Sequence, residues 1–524
     1  MLTLIENIIF WAMYALLWFA VVRYDVHMFQ HNSYREERYA RWFKGGYKYA
    51  RAAMIAVLAI VGVLPFVNVD VFYGFASAFM AAMAIAELRT TYKKPIVYTM
   101  RVKRLFATAT IVSGGVIALS LIFAPRYAAT IALGTLALPV VMLVANLLNK
   151  PLEAAISRWY YNDAKRILRS MPNLIIIGVT GSFGKTSTKH YLYRILSEKY
   201  NVLMTPGNFN TTLGVIRTVR EYLKPHHQIF IVEMGAKQVG DIKEICDLVH
   251  PTIGIVTAVG EMHLETFHTQ ENILRTKFEL IDALPADGLG VVNLDSEPIA
   301  NSSMSHRCKV IGYAIDNAKA DYQAQDINYS AADTSFAIKS DKALREGYTT
   351  RLAGRGNILN LLATVAVADH LQVSEAMQKR AMRQIDQIEH RLSVKRTAGG
   401  VTIIDDAYNS NPTGAKMALE VLRNFRRAEG GRRIVVTPGF VELGERQAEF
   451  NHELGKVIAS ACDIAIVVNK VNREAISSGI AEGGFDTQNL IEADSFAEAS
   501  ARLATMLRAG DVVLYENDLP DSFK

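Results

Sequence analysis

The sequence predicts a multi-pass α-helical membrane bundle followed by two α/β domains. Three observations carry this expectation. Long apolar runs are confined to the first 150 residues. From residue 172 onward, short β-branched runs alternate with helical periodicity. The first of those runs leads straight into a glycine-rich turn.

Within residues 1–150, apolar stretches lie at about 4–22, 52–69, 71–87, 105–125 and 127–147, which predicts about five helices. A helix needs about 20 apolar residues to cross the hydrocarbon core. The first, fourth and fifth stretches meet that length, while the second and third read as a tight hairpin about Asn68-Val69-Asp70. This region carries 15 Lys/Arg against 6 Asp/Glu, and the remaining 374 residues carry 42 against 45. The excess sits between spans, at Arg35, Arg38, Arg41, Lys44, Lys48 and Arg51 and again from Arg89 to Arg104. Basic loops stay cytoplasmic, so the N-terminus is expected outside and everything after Lys150 inside. The basic balance is therefore topological; membrane lipid is an expected partner and nucleic acid is not.

No ionisable residue lies near the middle of a predicted span, which points to anchoring rather than an ion pathway. Met1 to Asn7 lacks the basic start of a cleaved signal peptide. Cys246, Cys308 and Cys462 are widely spaced, which fits a reducing compartment and no disulfide framework.

Residues 151–171 predict a basic amphipathic connector helix ended by Pro172. Leu174 to Ile177 then reads as a buried strand, Gly178 to Thr186 as a turn, and Ser187 to Tyr200 as a helix. Strand, glycine loop and helix N-terminus form the setting of a phosphate-binding loop: backbone amides close on phosphate, and the helix dipole favours its charge. Gly181, Ser182, Phe183, Gly184, Lys185, Thr186 and Ser187 are the candidate ATP-binding residues, with Lys185 neutralising charge and Thr186 offering a hydroxyl to Mg²⁺. Val179 stands where the strict P-loop pattern has its first glycine. Gln228 to Val232 predicts a second strand that delivers Glu233 to the same sheet edge, giving a hard-oxygen metal set with Thr186.

Seven segments in order then resemble the Mur ligase family, and within it the branch that adds D-alanyl-D-alanine to a UDP-linked muramoyl tripeptide. They are TGSFGKTSTK at 180–189, NFNTTLGV at 208–215, VEMGAKQVGDI at 232–242, HLETF at 263–267 with Lys277 downstream, GRGNILN at 354–360, HRL at 390–392 and DDAYNSNP at 405–412. The resemblance covers about residues 172–524. It implies a P-loop, Mur-ligase-type central ATP-binding domain at 172–390 and a Rossmann-like C-terminal α/β domain at 391–524.

The implied activity is an ATP-dependent carbon–nitrogen ligase of peptidoglycan synthesis that works through an acyl phosphate, with its catalytic domains on the cytoplasmic side of a bacterial inner membrane. The implied catalytic residues are Lys185, His263 and Lys277. Thr186, Glu233, His263 and a carbamylated Lys277 would hold Mg²⁺, two ions in all. Asn208 and Asn210 would face the acceptor, Asn357 the adenine, Arg391 a phosphate or the ribose, and Asp406 and Asn409 the ribose.

The family's UDP-holding N-terminal domain has no counterpart in the sequence; the apolar region stands in its place. The acceptor carboxylate is therefore expected on a small UDP-linked molecule, a lipid or a polymer, with an amino acid or dipeptide as amine donor. A poly-γ-glutamate-synthetase-like polymer ligase is one alternative. A transporter driven by a P-loop ATPase is the other, although no LSGGQ-like segment is present.

Overall fold

The computed structural model describes residues 2–32, 34–44, 55–60, 69–90, 95–137, 140–262, 264–303, 305–329, 333–341, 343–408, 411–425 and 430–519. The chain divides into two compact units, Met1–Trp159 and Tyr160–Lys524.

The first unit is helical. It contains α1 (Leu2–His31), α2 (Glu36–Lys44), α3 (Val69–Arg89), α4 (Met100–Phe123) and α5 (Ala128–Ala137), and the start of α6 (Val140–Arg169). Among the described residues, four helices are long and apolar enough to cross a membrane: Leu4–His31, Val71–Arg89, Met100–Phe123 and Val140–Arg169. The expected second span, 52–69, falls largely outside the described residues; 55–60 is helical, and Ile55 and Leu58 pack with Phe10, Leu17 and Met80.

The stretch expected as one span at 127–147 is helical in its described parts, as α5 and the start of α6, with residues 138–139 outside the described residues. Residues 151–171 are not a separate helix, because α6 runs unbroken through Pro151 to Arg169. Hydropathy drops at Lys150, but a change of surroundings does not end a hydrogen-bonded helix, and an interior proline removes only its own donor and bends the helix. Polar ties join these helices: Trp18 Nε1 donates to Ser113 Oγ at 3.0 Å, Arg104 pairs with Glu153 at 2.6 Å, and Lys150 pairs with Glu36 at 2.8 Å.

The second unit holds two sheets. In the first, nine strands lie in the order β2-β3-β1-β4-β5-β6-β7-β8-β9. They are β1 (Ile175–Thr180), β2 (Val202–Met204), β3 (Ile229–Glu233), β4 (Ile253–Val256), β5 (Leu289–Asn293), β6 (Lys309–Ala314), β7 (Tyr322–Tyr329), β8 (Thr334–Ser340) and β9 (Leu344–Thr350). The strands from β2 to β7 pair in parallel, and β7 to β9 form an antiparallel extension where the sequence is β-rich.

Alternate β1 side chains serve opposite cores. Ile177 and Val179 pack with Leu192 of α7 (Lys185–Leu196) and Leu362 of α8 (Arg355–His370), whereas Ile176 packs with Phe230 and Leu280. The order reverses at β1, since β2 and β3 lie on one side of it and β4 on the other. Open α/β sheets bind ligands beyond the strand ends at such a switch point.

The second sheet has six strands in the order β10-β11-β15-β12-β13-β14, all parallel except β10. Its strands are β10 (Ser393–Arg396), β11 (Thr402–Asp406), β12 (Arg433–Thr437), β13 (Ile464–Val468), β14 (Leu490–Ala493) and β15 (Val512–Glu516). Four were legible as β-branched runs. The edge strands β10 and β14, SVKR and LIEA, carry too little apolar signal to read that way.

Candidate active site

β1 ends at Thr180, whose hydroxyl donates to Met234 O at 2.9 Å, and the chain turns into α7 through residues 181–184. Two glycines make the turn possible. Gly181 has φ +148° and Gly184 φ +81°, both in the region that L side chains avoid. A Cβ on Gly181 would lie 2.1 Å from Thr257 Oγ1, and one on Gly184 would lie 2.6 Å from Asn360 Oδ1. The loop is thus pressed against Thr257 and Asn360, Ser182 N donates to Ala258 O at 2.8 Å, and Ser182 to Gly184 line a cleft.

Lys185 opens α7. Its ammonium donates to Gly181 O at 2.7 Å and Ser182 O at 3.1 Å. Burial pushes its pKa down to about 8; Glu233 opposes that shift and Arg391 adds to it.

The end of β3 brings Glu233 beside this loop. Thr186 Oγ1 donates to Glu233 Oε1 at 3.2 Å, and Asn210 Nδ2 donates to the same oxygen at 3.1 Å. Lys189 Nζ lies 2.9 Å from Oε2, with both side chains almost wholly buried. Burial works against the charge of Glu233, but Lys189 and Lys185 together hold its pKa below the ordinary carboxylate value. Glu233 is therefore an anion at neutral pH, next to a hydroxyl, which suits a hard divalent cation.

The opposite wall comes from α8 and the second sheet. Asn357 Oδ1 accepts from Tyr191 OH at 2.7 Å and its Nδ2 donates to Ala353 O at 2.8 Å, leaving one amide hydrogen for a ligand. Arg391 lies 4.4 Å above the Tyr408 ring, in cation–π geometry. Asp406 ends β11 and accepts from Leu392 N at 3.0 Å. Burial pushes its pKa up to about 6, against the pull of Arg391 and of that amide. Asn208 Nδ2 donates to Tyr408 OH at 2.9 Å, joining the two walls. Between them is a cleft of about 500 Å³.

Comparison with known proteins decides the family. The Mur ligase middle domain matches residues 179–368, and the Mur ligase glutamate ligase domain matches residues 390–515. A Mycobacterium tuberculosis (strain CDC 1551 / Oshkosh) UDP-N-acetylmuramoyl-tripeptide–D-alanyl-D-alanine ligase is 33% identical over 366 residues, 65% of this chain and 70% of the relative. The chain belongs to the Mur ligase family.

The enzyme of the same name from Bacillus subtilis (strain 168) is 31% identical over 285 residues, 54% of this chain, and the chain spans only 60% of its length. Among solved structures, MurF from Thermotoga maritima in complex with ADP is 28% identical with a TM-score of 0.60, covering 69% of this chain and 80% of that one. MurF from Acinetobacter baumannii is 25% identical with a TM-score of 0.61, covering 68% and 76%.

In this Mur ligase the cleft is lined by most of the residues singled out from sequence: Ser182 to Ser187, Asn208, Asn210, Glu233, Asn357, Arg391 and Asp406. Gly181 supports the loop from behind and does not line the cleft. Lys277 is also absent from the lining; it is buried in α9 (Gln270–Asp282), where burial and nearby Lys185 push its pKa down to about 7. His263 and Asn409 lie outside the described residues.

Sequence reasoning missed four residues. Lys189 stood at the end of TGSFGKTSTK with no role assigned to it. His190 lines the cleft and is held neutral, its pKa pushed down to about 4 by burial and by Lys189. Tyr408 sat unremarked within DDAYNSNP. Arg355 lines the cleft at the start of α8 and pairs with Asp295 and Asp316.

Proposed function

We propose that this chain is a membrane-anchored, ATP-dependent amide-bond ligase that phosphorylates a carboxylate on a peptidoglycan precursor and transfers the acyl group to an amine. One observation carries the reading: the glycine loop, the Glu233 carboxylate, the Asn208–Asn210 loop and the Asn357, Arg391 and Asp406 side chains line one cleft. The names of the relatives support a UDP-N-acetylmuramoyl tripeptide as acceptor and D-alanyl-D-alanine as amine donor.

In this reading the acceptor carboxylate attacks the γ-phosphorus of ATP, the bond to ADP breaks, and an acyl phosphate forms. The donor amine then attacks that carbonyl, loses a proton and expels inorganic phosphate. Phosphoryl transfer of this kind depends on positioning and charge neutralisation. Backbone amides of Phe183 and Gly184 and the Lys185 ammonium would hold the phosphates, while Asn357 and Asp406 would grip adenine and ribose. Arg391 would add charge from the C-terminal domain as the two walls close. Asn208 and Asn210 would orient the acceptor carboxylate.

Thr186 and Glu233 are the residues that would hold Mg²⁺, which screens the charge of the phosphates when bound; their oxygens are 3.2 Å apart and Glu233 is ionised. His263 and a carbamylated Lys277 complete the proposed metal set. A buried amine with pKa about 7 is partly unprotonated at neutral pH, as reaction with CO₂ requires.

Anchoring is supported by the helices of the first unit, whose outward side chains include Leu4, Ile8, Phe75, Ile111, Ile122 and Phe123, all more than half exposed. Apolar patches of this extent mark lipid or partner contact. The basic loops support a cytoplasmic catalytic part.

Mass spectrometry of envelope precursors from cells lacking the gene tests the reading. Tripeptide precursors should accumulate on their nucleotide or lipid carrier; an unchanged precursor pool would contradict it.

A further inference from the structure

We propose that Lys189 is a positioning residue that ties the acceptor-side loop, residues 205–210, to the helix that carries Lys185 and Thr186. The inference rests on the reading of that loop as the acceptor side. Lys189 does not line the cleft, so it acts through its neighbours. Its side chain is fully buried, and its Nζ lies 2.9 Å from Glu233 Oε2 and donates to Gly207 O at 2.6 Å.

Within the loop Phe209 N donates to Pro206 O at 3.0 Å, and the Asn208 and Asn210 side chains reach Tyr408 and Glu233, but Lys189 alone reaches the backbone of Gly207 among the described residues. Its ends are pinned to β3: Thr205 N donates to Ile231 O at 3.0 Å, Glu233 N donates to Thr205 Oγ1 at 3.1 Å, and Gly235 N donates to Asn210 O at 2.7 Å. Gly207 sits between those anchors at φ +49°, and a Cβ placed there would meet nothing within 4 Å. Among the described residues, that carbonyl accepts from a single donor, the charged Lys189 on α7. Charge-assisted hydrogen bonds are roughly twice as strong as neutral ones. Lys189 thus fixes Asn208 and Asn210 relative to Glu233, so that acceptor carboxylate and metal-binding acid meet in register.

The test compares full-length wild type with Lys189→Met, Lys189→Gln and Lys189→Arg in detergent. Hydrogen exchange is followed across residues 205–210, and steady-state kinetics use UDP-N-acetylmuramoyl tripeptide as the acceptor probe. Loss of a charge-assisted tie predicts about tenfold faster loop exchange and an acceptor KM raised about tenfold or more, with ATP KM little changed. Lys189→Arg should recover part of both, while exchange in β1 and β3 stays protected. Lys189→Gln keeps an amide donor and supplies the comparison if Lys189→Met, which leaves Glu233 buried without its cation, does not fold.

Unchanged loop exchange, or acceptor and ATP KM rising together, would overturn the proposal. The exchange comparison needs no turnover. A wild type inactive with this acceptor would therefore sink the substrate reading, while the loop result still decides the role of Lys189.

Discussion

Asp406→Asn should stabilise the C-terminal domain at neutral pH while damaging the site. Asp406 is half-buried at the end of β11, and its pKa is raised from 3.8 to about 6. A raised acid pKa means that the fold favours the neutral form. The stability linked to that proton is fully present below about pH 4 and lost as pH rises through 6. Above that, a charged carboxylate stays half-buried, at a penalty of at most roughly two pKa units, or about 3 kcal/mol. Asparagine does not titrate, and its amide oxygen can still accept from Leu392 N.

The variant should match wild type near pH 4 and exceed it by up to about 3 kcal/mol at pH 7.5. Because all four tryptophans (Trp11, Trp18, Trp42 and Trp159) lie in the first unit, fluorescence does not report on this domain. Native-state hydrogen exchange of core amides in β11 and β15, compared between variant and wild type at each pH, does. No gap at pH 7.5, or a gap largest at low pH, would refute the reasoning. ATP affinity should fall in the same variant if Asp406 meets the ribose.

Other perturbations give distinct outcomes. Lys185 is charged below its pKa of about 8, so wild-type ATP affinity should weaken as pH climbs past that value, and Lys185→Ala should bind weakly at every pH; calorimetric titration at pH 7 and 9 checks both. Gly184→Ala places a Cβ 2.6 Å from Asn360 Oδ1 at φ +81°, so nucleotide binding should drop at least tenfold while strand exchange in β1 persists. Depletion of bicarbonate should lower turnover and its return should restore it. Isotope-labelled bicarbonate should give a carbamate NMR signal that Lys277→Arg lacks; a signal surviving in that variant would remove Lys277 from the metal set.

The residues that line the cleft were largely legible because the chemistry proposed for them needs particular residue types at strand ends. The glycine loop and Glu233 both follow β-branched runs, and parallel pairing of β1 with β3 brings Val179 level with Glu233. Lys189 was illegible because its role depends on a carbonyl 18 residues away, which no local pattern encodes. Asn357 was expected to face the adenine, and its oxygen already accepts from Tyr191, 166 residues distant in sequence.

The helix boundaries failed for another reason. Apolar runs report where a helix meets lipid or core, and α6 continues past Lys150 because its backbone hydrogen bonds do not depend on that surrounding.

Phosphate release by the purified full-length protein tests the central claim most directly, with ATP, UDP-N-acetylmuramoyl tripeptide and D-alanyl-D-alanine each omitted in turn. Release should require all three and vanish in Lys185→Ala. Equal release with ATP alone, or undiminished release in that variant, would contradict a ligase built on this loop.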